Sequence, residues 1–176
     1  MKTLSSSASS NFNVSESAIK RQAKIVWLVA LFATLIWLVL IIAPALLRAL
    51  DLSPGADAIF AFFGSLCHQI PERSFYLSGQ QLAVCSRCFG VYFGLFVSLL
   101  IYPLWRVIDD IEPLPRKWLL LSVLPMSLDW SLTIFNIWEN NHASRFITGM
   151  ILGGACSIYI LPALVEIFRN LSFSRR

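Results

Sequence analysis

Residues Ile25–Leu47 read IVWLVALFATLIWLVLIIAPALL, a run of 23 residues without a charge. At about 1.5 Å of rise per residue, a helix of this length exceeds the roughly 30 Å hydrocarbon core of a bilayer. The run therefore predicts a membrane span. It is too long and too Trp-bounded for a cleaved signal peptide, and Ala43-Pro44-Ala45 lies inside it instead of after it, so the span is expected to be permanent.

Outward from this run, Cys88–Trp105 and Phe146–Val165 are also free of charge, and Trp118–Trp138 contains only Asp129. With 57% hydrophobic residues, 14% charged and a mean hydropathy of +0.69, the chain departs from soluble composition throughout. These features predict an all-α, polytopic membrane protein with four transmembrane helices, at about 25–47, 88–105, 118–138 and 146–165. Residues 1–22, rich in Ser and Asn, are expected to form a disordered cytoplasmic tail. Residues 23–170 form the membrane domain, and 171–176 a basic tail.

Lys and Arg set the orientation. With the N-terminus inside, ten basic residues lie in the cytoplasm and only Arg48, Arg73, Arg87 and Arg145 lie opposite. A multi-pass protein of the cell membrane with both termini cytoplasmic is expected. The net charge of +4 follows from basic residues flanking the spans, weak attraction to anionic lipid is expected from it, and no nucleic-acid motif accompanies it.

Between the first two spans, Leu52–Cys67 opens with Ser53-Pro54, an N-cap and first-turn pair. A helix there covers about 21 Å, so it would lie in the interface or re-enter it instead of crossing. Gln69–Val84, with Pro71 and Gly79, reads as a folded loop or broken helix, and Arg106–Lys117 as a short connector. Gly90 with Gly94, and Gly149 with Gly153, have the small-x-x-x-small spacing that lets helix backbones approach, so the second and fourth spans are expected to pair.

The candidate site lies in the long polar break. Cys67-His68 precedes it and Cys85-Ser86-Arg87-Cys88 closes it. Cys85 and Cys88, three apart at a helix start, present their sulfurs on one side, where free amides favour thiolate. Cys67, His68, Cys85 and Cys88 would make a Cys₃His set, for which zinc or another transition metal is the default occupant. Adjacent residues rarely turn toward one ion, so Cys67 or His68 would instead support the set from outside. Two other uses stay open: thiol–disulfide exchange through Cys85 and Cys88 with Cys67, or plain structural packing, as assumed for Cys156.

Asp129 is the second feature. A carboxylate within a span costs several kcal/mol unless it finds a partner. Arg87 and Arg145 are the candidate counter-ions, and Thr133 and Asn136 would continue a polar stripe outward. As catalytic candidates, Asp129, Arg145, Arg87 and Arg73 would serve a lipid-linked or anionic substrate at the outer boundary. Three classes remain: a metal-dependent enzyme, a thiol redox protein, and a small transporter or assembly factor built on Asp129. An oligomer is compatible with each. His142 is expected to be solvated, within reach of the cluster.

Together, Cys67-His68-Gln69-x-Pro71-x-Arg73-Ser74-Phe75, Cys85-x-Arg87-Cys88-x-Gly90-x-Tyr92-x-Gly94, Pro125 with Asp129, and Arg145-x-x-Thr148-Gly149-x-x-x-Gly153 resemble a prokaryotic family of small polytopic membrane proteins known as a domain of unknown function. The resemblance spans about Ala58 to Gly154. It implies a bacterial or archaeal membrane protein and brings no activity with it.

Overall fold

The structure is a computed structural model that describes residues 3–110, 112 and 114–173, with side chains from Ser17 to Leu171. Five α-helices run in chain order: α1 (Thr3–Ala49), α2 (Ser53–Gly64), α3 (Ser86–Trp105), α4 (Lys117–Ile134) and α5 (His142–Phe173). Between α2 and α3 lie a single 3-10 turn, Pro71–Arg73, and two strands, β1 (Ser74–Leu77) and β2 (Gln80–Cys85). The expectation of an all-α chain therefore needs one correction. Where a folded loop or broken helix is expected over Gln69–Val84, β1 and β2 form an antiparallel hairpin, with Tyr76 opposite Gln81, Leu77 opposite Gln80, and a bulge between Ser74 and Tyr76. Ser78 and Gly79 both take positive φ, 51° and 75°, as a two-residue hairpin turn requires.

Three helices are long and apolar enough to cross a bilayer: Ser17–Ala49 within α1, Ser86–Trp105, and His142–Leu171 within α5. The fourth expected span, 118–138, is shorter in the structure. α4 stops at Ile134, and Asn136 takes a φ of 54° in the turn that follows. Its 18 residues cover about 27 Å. Of the expected tail over 1–22, residues 1 and 2 lie outside the described residues, while Ser17 to Gln22 are already helical and continuous with the span. The basic tail lies outside the described residues from 174 onward.

The outward faces of the long helices carry apolar side chains. Ile25, Val29, Phe32, Ile36 and Val39 of α1 are each more than half exposed. In water such a face would be costly, and against lipid it is the expected surface. On the inner side α1 is tied to α3 by Trp27 Nε1, which donates to the Leu99 carbonyl at 2.8 Å.

α3 and α5 form the tightest pair. A methyl group on Gly90 would collide with the Phe146 carbonyl, and one on Gly94 with that of Met150. From the other side, Gly149 meets the Arg87 carbonyl and Gly153 that of Val91. The expected pairing of the glycine-bearing spans is therefore present, backbone against backbone, and Ser157 Oγ donates to Ser98 Oγ at 2.5 Å further along the seam.

α2 begins one residue earlier than its cap pattern suggested. Leu52 is the N-cap, with no side-chain cap bond, and Ser53 is already helical. The helix buries Ala56 and Phe63 against α1, where Phe63 meets Trp37 edge to face. Arg48 holds Asp57 at 2.9 Å and lies over Phe60, which fixes the α1–α2 corner.

Candidate functional site

Three separate elements deliver the sulfurs. Cys67 follows the end of α2, Cys85 closes β2 as the N-cap of α3, and Cys88 stands in the first turn of α3. Their ligand atoms all lie within 4.8 Å of one another. Cys67 is buried, and its Sγ accepts the backbone N–H of Cys85 at 3.2 Å. Hydrogen bonds from the Cys85 and Cys88 side chains, with that N–H, hold the Cys67 thiol far below its ordinary range against the opposing effect of burial. Of the sulfurs gathered here, Cys67, which accepts the Cys85 N–H, is the one disposed to lose its proton.

Gln69 holds the loop in place. With its backbone at a φ of 50°, its Nε2 donates to Phe60 O at 2.7 Å and to Ala83 O at 2.8 Å, joining α2 to β2. Its own carbonyl accepts Gln81 Nε2 at 2.7 Å, and that amide also reaches Ser74 Oγ. Cys67 is thereby turned inward. The neighbouring His68 is exposed and stands outside the set of three sulfurs, as the divergence of adjacent side chains requires.

Asp129 is partnered by Arg87. Arg87 Nη2 lies 2.5 Å from Asp129 Oδ2, with the side chains 19% and 9% exposed, so the pair is largely withdrawn from solvent. Asn140 Nδ2 donates to the same Oδ2 at 2.9 Å, and Asn140 Oδ1 accepts Arg145 Nε at 2.6 Å. Arg145 thus reaches Asp129 through Asn140, while Arg87 meets it directly. Asn140 had no place in the sequence reading. The Asn140-Asn141-His142 run at the start of α5 was the available signal, but its proximity to Asp129 depends on the turn after Ile134.

The expected polar stripe is only half present. Thr133 Oγ1 donates back to the Asp129 carbonyl at 2.9 Å, whereas Asn136 lies beyond the helix end, exposed. His142 is turned away from the sulfurs: its Nδ1 shares a hydrogen bond of 2.8 Å with buried Ser86 Oγ, and its ring lies against Phe75.

A cavity of about 280 Å³ joins the two clusters. The cysteines, His68, Arg73, Arg87, Arg145 and Asn140 line its polar side, and Leu66, Val91, Met126, Trp130 and Ile134 its apolar side. The four cysteine and histidine candidates and the three arginines thus open on one space, whereas Asp129 serves it from behind Arg87.

Several apolar helices carrying a buried ion pair and a gathered cysteine cluster define a membrane-protein class. The chain belongs to the family described as "Predicted membrane protein (DUF2085)", which matches residues 67–159, from Cys67 into α5. An uncharacterized protein of the archaeon Methanocaldococcus jannaschii is 40% identical over 109 residues, 61% of this chain and 69% of its own length. Another, from Methanothermobacter thermautotrophicus, is 34% identical over 93 residues, 52% of this chain and 80% of its own. No solved structure matches.

Proposed function

We propose that this chain is a four-span protein of the cell membrane, both termini cytoplasmic, that holds zinc or another transition metal between Cys67, Cys85 and Cys88 at the outer membrane–water boundary. The observation that carries the reading is the convergence of three sulfurs from three elements within 4.8 Å. Zinc–thiolate bonds of about 2.3 Å place tetrahedral sulfurs about 3.8 Å apart, so small rotations of these side chains fit the ion. A three-sulfur set leaves one position for water, substrate or His68.

Bound there, such an ion would polarise a substrate oxygen or lower the pKa of a bound water. The chain's own groups supply the rest. Arg73, Arg87 and Arg145 face the cavity and suit the anionic part of a lipid-linked or other anionic substrate. Asp129 fixes Arg87, and this pairing favours a positioning role for Asp129 over an ion or proton site. Crossing by α4 is supported by the same pair, which satisfies the one carboxylate in that helix.

The thiolate environment of Cys67 also favours a second use, in which two of the thiols give two electrons and two protons to an external disulfide or quinone and form a disulfide. Elemental analysis of the purified protein separates the two. One metal ion per chain, lost in Cys67→Ser and Cys88→Ser, supports the metal centre. Metal-free protein whose cysteines are trapped as a disulfide in intact cells would falsify it in favour of redox exchange.

A further inference from the structure

We propose that the cavity beside the sulfurs binds the phosphate headgroup of a single-chain amphiphile whose tail leaves along the cleft between α3 and α4. This deepens the reading above, resting on its statement that the cavity faces the substrate, and it does not require the ion.

Away from the sulfurs, the polar wall is dominated by the guanidinium donors of Arg73, Arg87 and Arg145. Arg87 directs Nη2 to Asp129, and its Nε is buried with no hydrogen-bond partner. Arg145 bonds through Nε to a neutral amide, Asn140. Among the described residues neither Arg73 nor Arg145 has a carboxylate within ion-pair distance. Three guanidiniums therefore face one space with a single carboxylate between them. Several planar forks converging from different elements match a tetrahedral anion with many acceptor oxygens better than a flat carboxylate, which one fork would satisfy.

The apolar wall decides what the phosphate is attached to. Val91 of α3 lines the cavity together with Met126 and Trp130 of α4. α4 packs closely on α5 and meets α3 only weakly, and Trp130 is 57% exposed, so this cleft is open on its apolar side. At about 280 Å³ the cavity is just below the range of drug-sized ligand sites, about 300–1,000 Å³, room for a headgroup with its first methylenes. A longer tail must continue past Trp130 onto the apolar outer surface of the helices. A phosphate group without a tail would leave that wall uncovered.

The test uses the full-length protein in a non-ionic detergent, with dodecyl phosphate as probe and dodecanol and inorganic phosphate as comparison ligands. Saturable binding of dodecyl phosphate, at least about tenfold tighter than either comparison ligand, is expected. Arg73→Gln and Arg145→Gln should each weaken it about tenfold or more, the usual scale for one charge-assisted contact. Arg73 is exposed, so its variant leaves the fold intact and keeps the test decisive should Arg145→Gln unfold. Dodecanol binding as tightly as dodecyl phosphate, or both variants binding like the parent, overturns the headgroup site. Inorganic phosphate binding equally well overturns the amphiphile and leaves a free-phosphate site. Metal content measured on the same preparations keeps the two readings apart: metal without phosphate binding sinks only this inference, and phosphate binding without metal sinks only the metal centre.

Discussion

Gly94→Ala should destabilise the protein, whereas Gly154→Ala, on the same helix pair, should not. A methyl at Gly94 would stand 2.8 Å from both Cα and carbonyl carbon of Met150, and carbon pairs settle at about 3.5–4.0 Å, so α3 and α5 would have to part by about 1 Å. The obstacle is backbone, which cannot rotate aside. At Gly154 the nearest atoms, the Gly94 carbonyl oxygen and Ser98 Cβ, are 3.8 Å away, ordinary contact. Alanine gains about 1 kcal/mol of helix propensity over glycine at either position, so the difference between the variants isolates the seam. Overpacking of this kind costs about 1–3 kcal/mol. Unfolding titrations in mixed detergent micelles, followed by circular dichroism, would read that difference. Equal midpoints and slopes for the two variants would refute the backbone-contact argument for this helix pair.

Two further outcomes test the parts around the cavity. Asp129→Asn removes the carboxylate that Arg87 and Asn140 share and leaves a largely withdrawn guanidinium without its counter-charge; a loss of about 1–3 kcal/mol is expected in the same titration, and an unchanged midpoint would show that the pair contributes nothing. Gln69→Ala frees the Phe60 and Ala83 carbonyls and releases the loop that turns Cys67 inward, so metal-free protein should alkylate faster at Cys67 with iodoacetamide; an unaltered rate would remove Gln69 from the positioning of that thiol.

Much of this architecture is written in one-dimensional patterns. Charge-free runs give the long helices because lipid demands satisfied backbone along their whole length. The spacing of Gly90, Gly94, Gly149 and Gly153 gives their pairing because a missing Cβ has a visible consequence every fourth residue. The sulfurs were legible too, since Cys85 and Cys88 share a helical turn and Cys67 has enough chain to fold back. The hairpin was harder. Ser78-Gly79 is the turn signal, but Phe75-Tyr76-Leu77 and Leu82-Ala83-Val84 are continuous apolar runs without the alternation of a half-buried strand, so with Pro71 the segment reads as a folded loop or a broken helix. The exclusion of His68 from the sulfurs and the arrival of Asn140 beside Asp129 depend on chain direction after a turn, Gln69 in one case and Asn136 in the other. Local composition does not encode such directions.

Arg87 stands between the two cysteines of its turn, and the carboxylate it meets belongs to α4, the helix with the weakest claim on lipid. Asp129 alone would hold that helix back from the hydrocarbon. In the proposed four-span arrangement α3 would emerge first during synthesis and carry the compensating charge, so α4 would enter a bilayer where its partner is already waiting. For a four-span arrangement, the ion pair then acts as an assembly order: the polar wall of the cavity closes only as α4 arrives, and a chain stalled before α4 would leave Arg87 seeking an anion of its own.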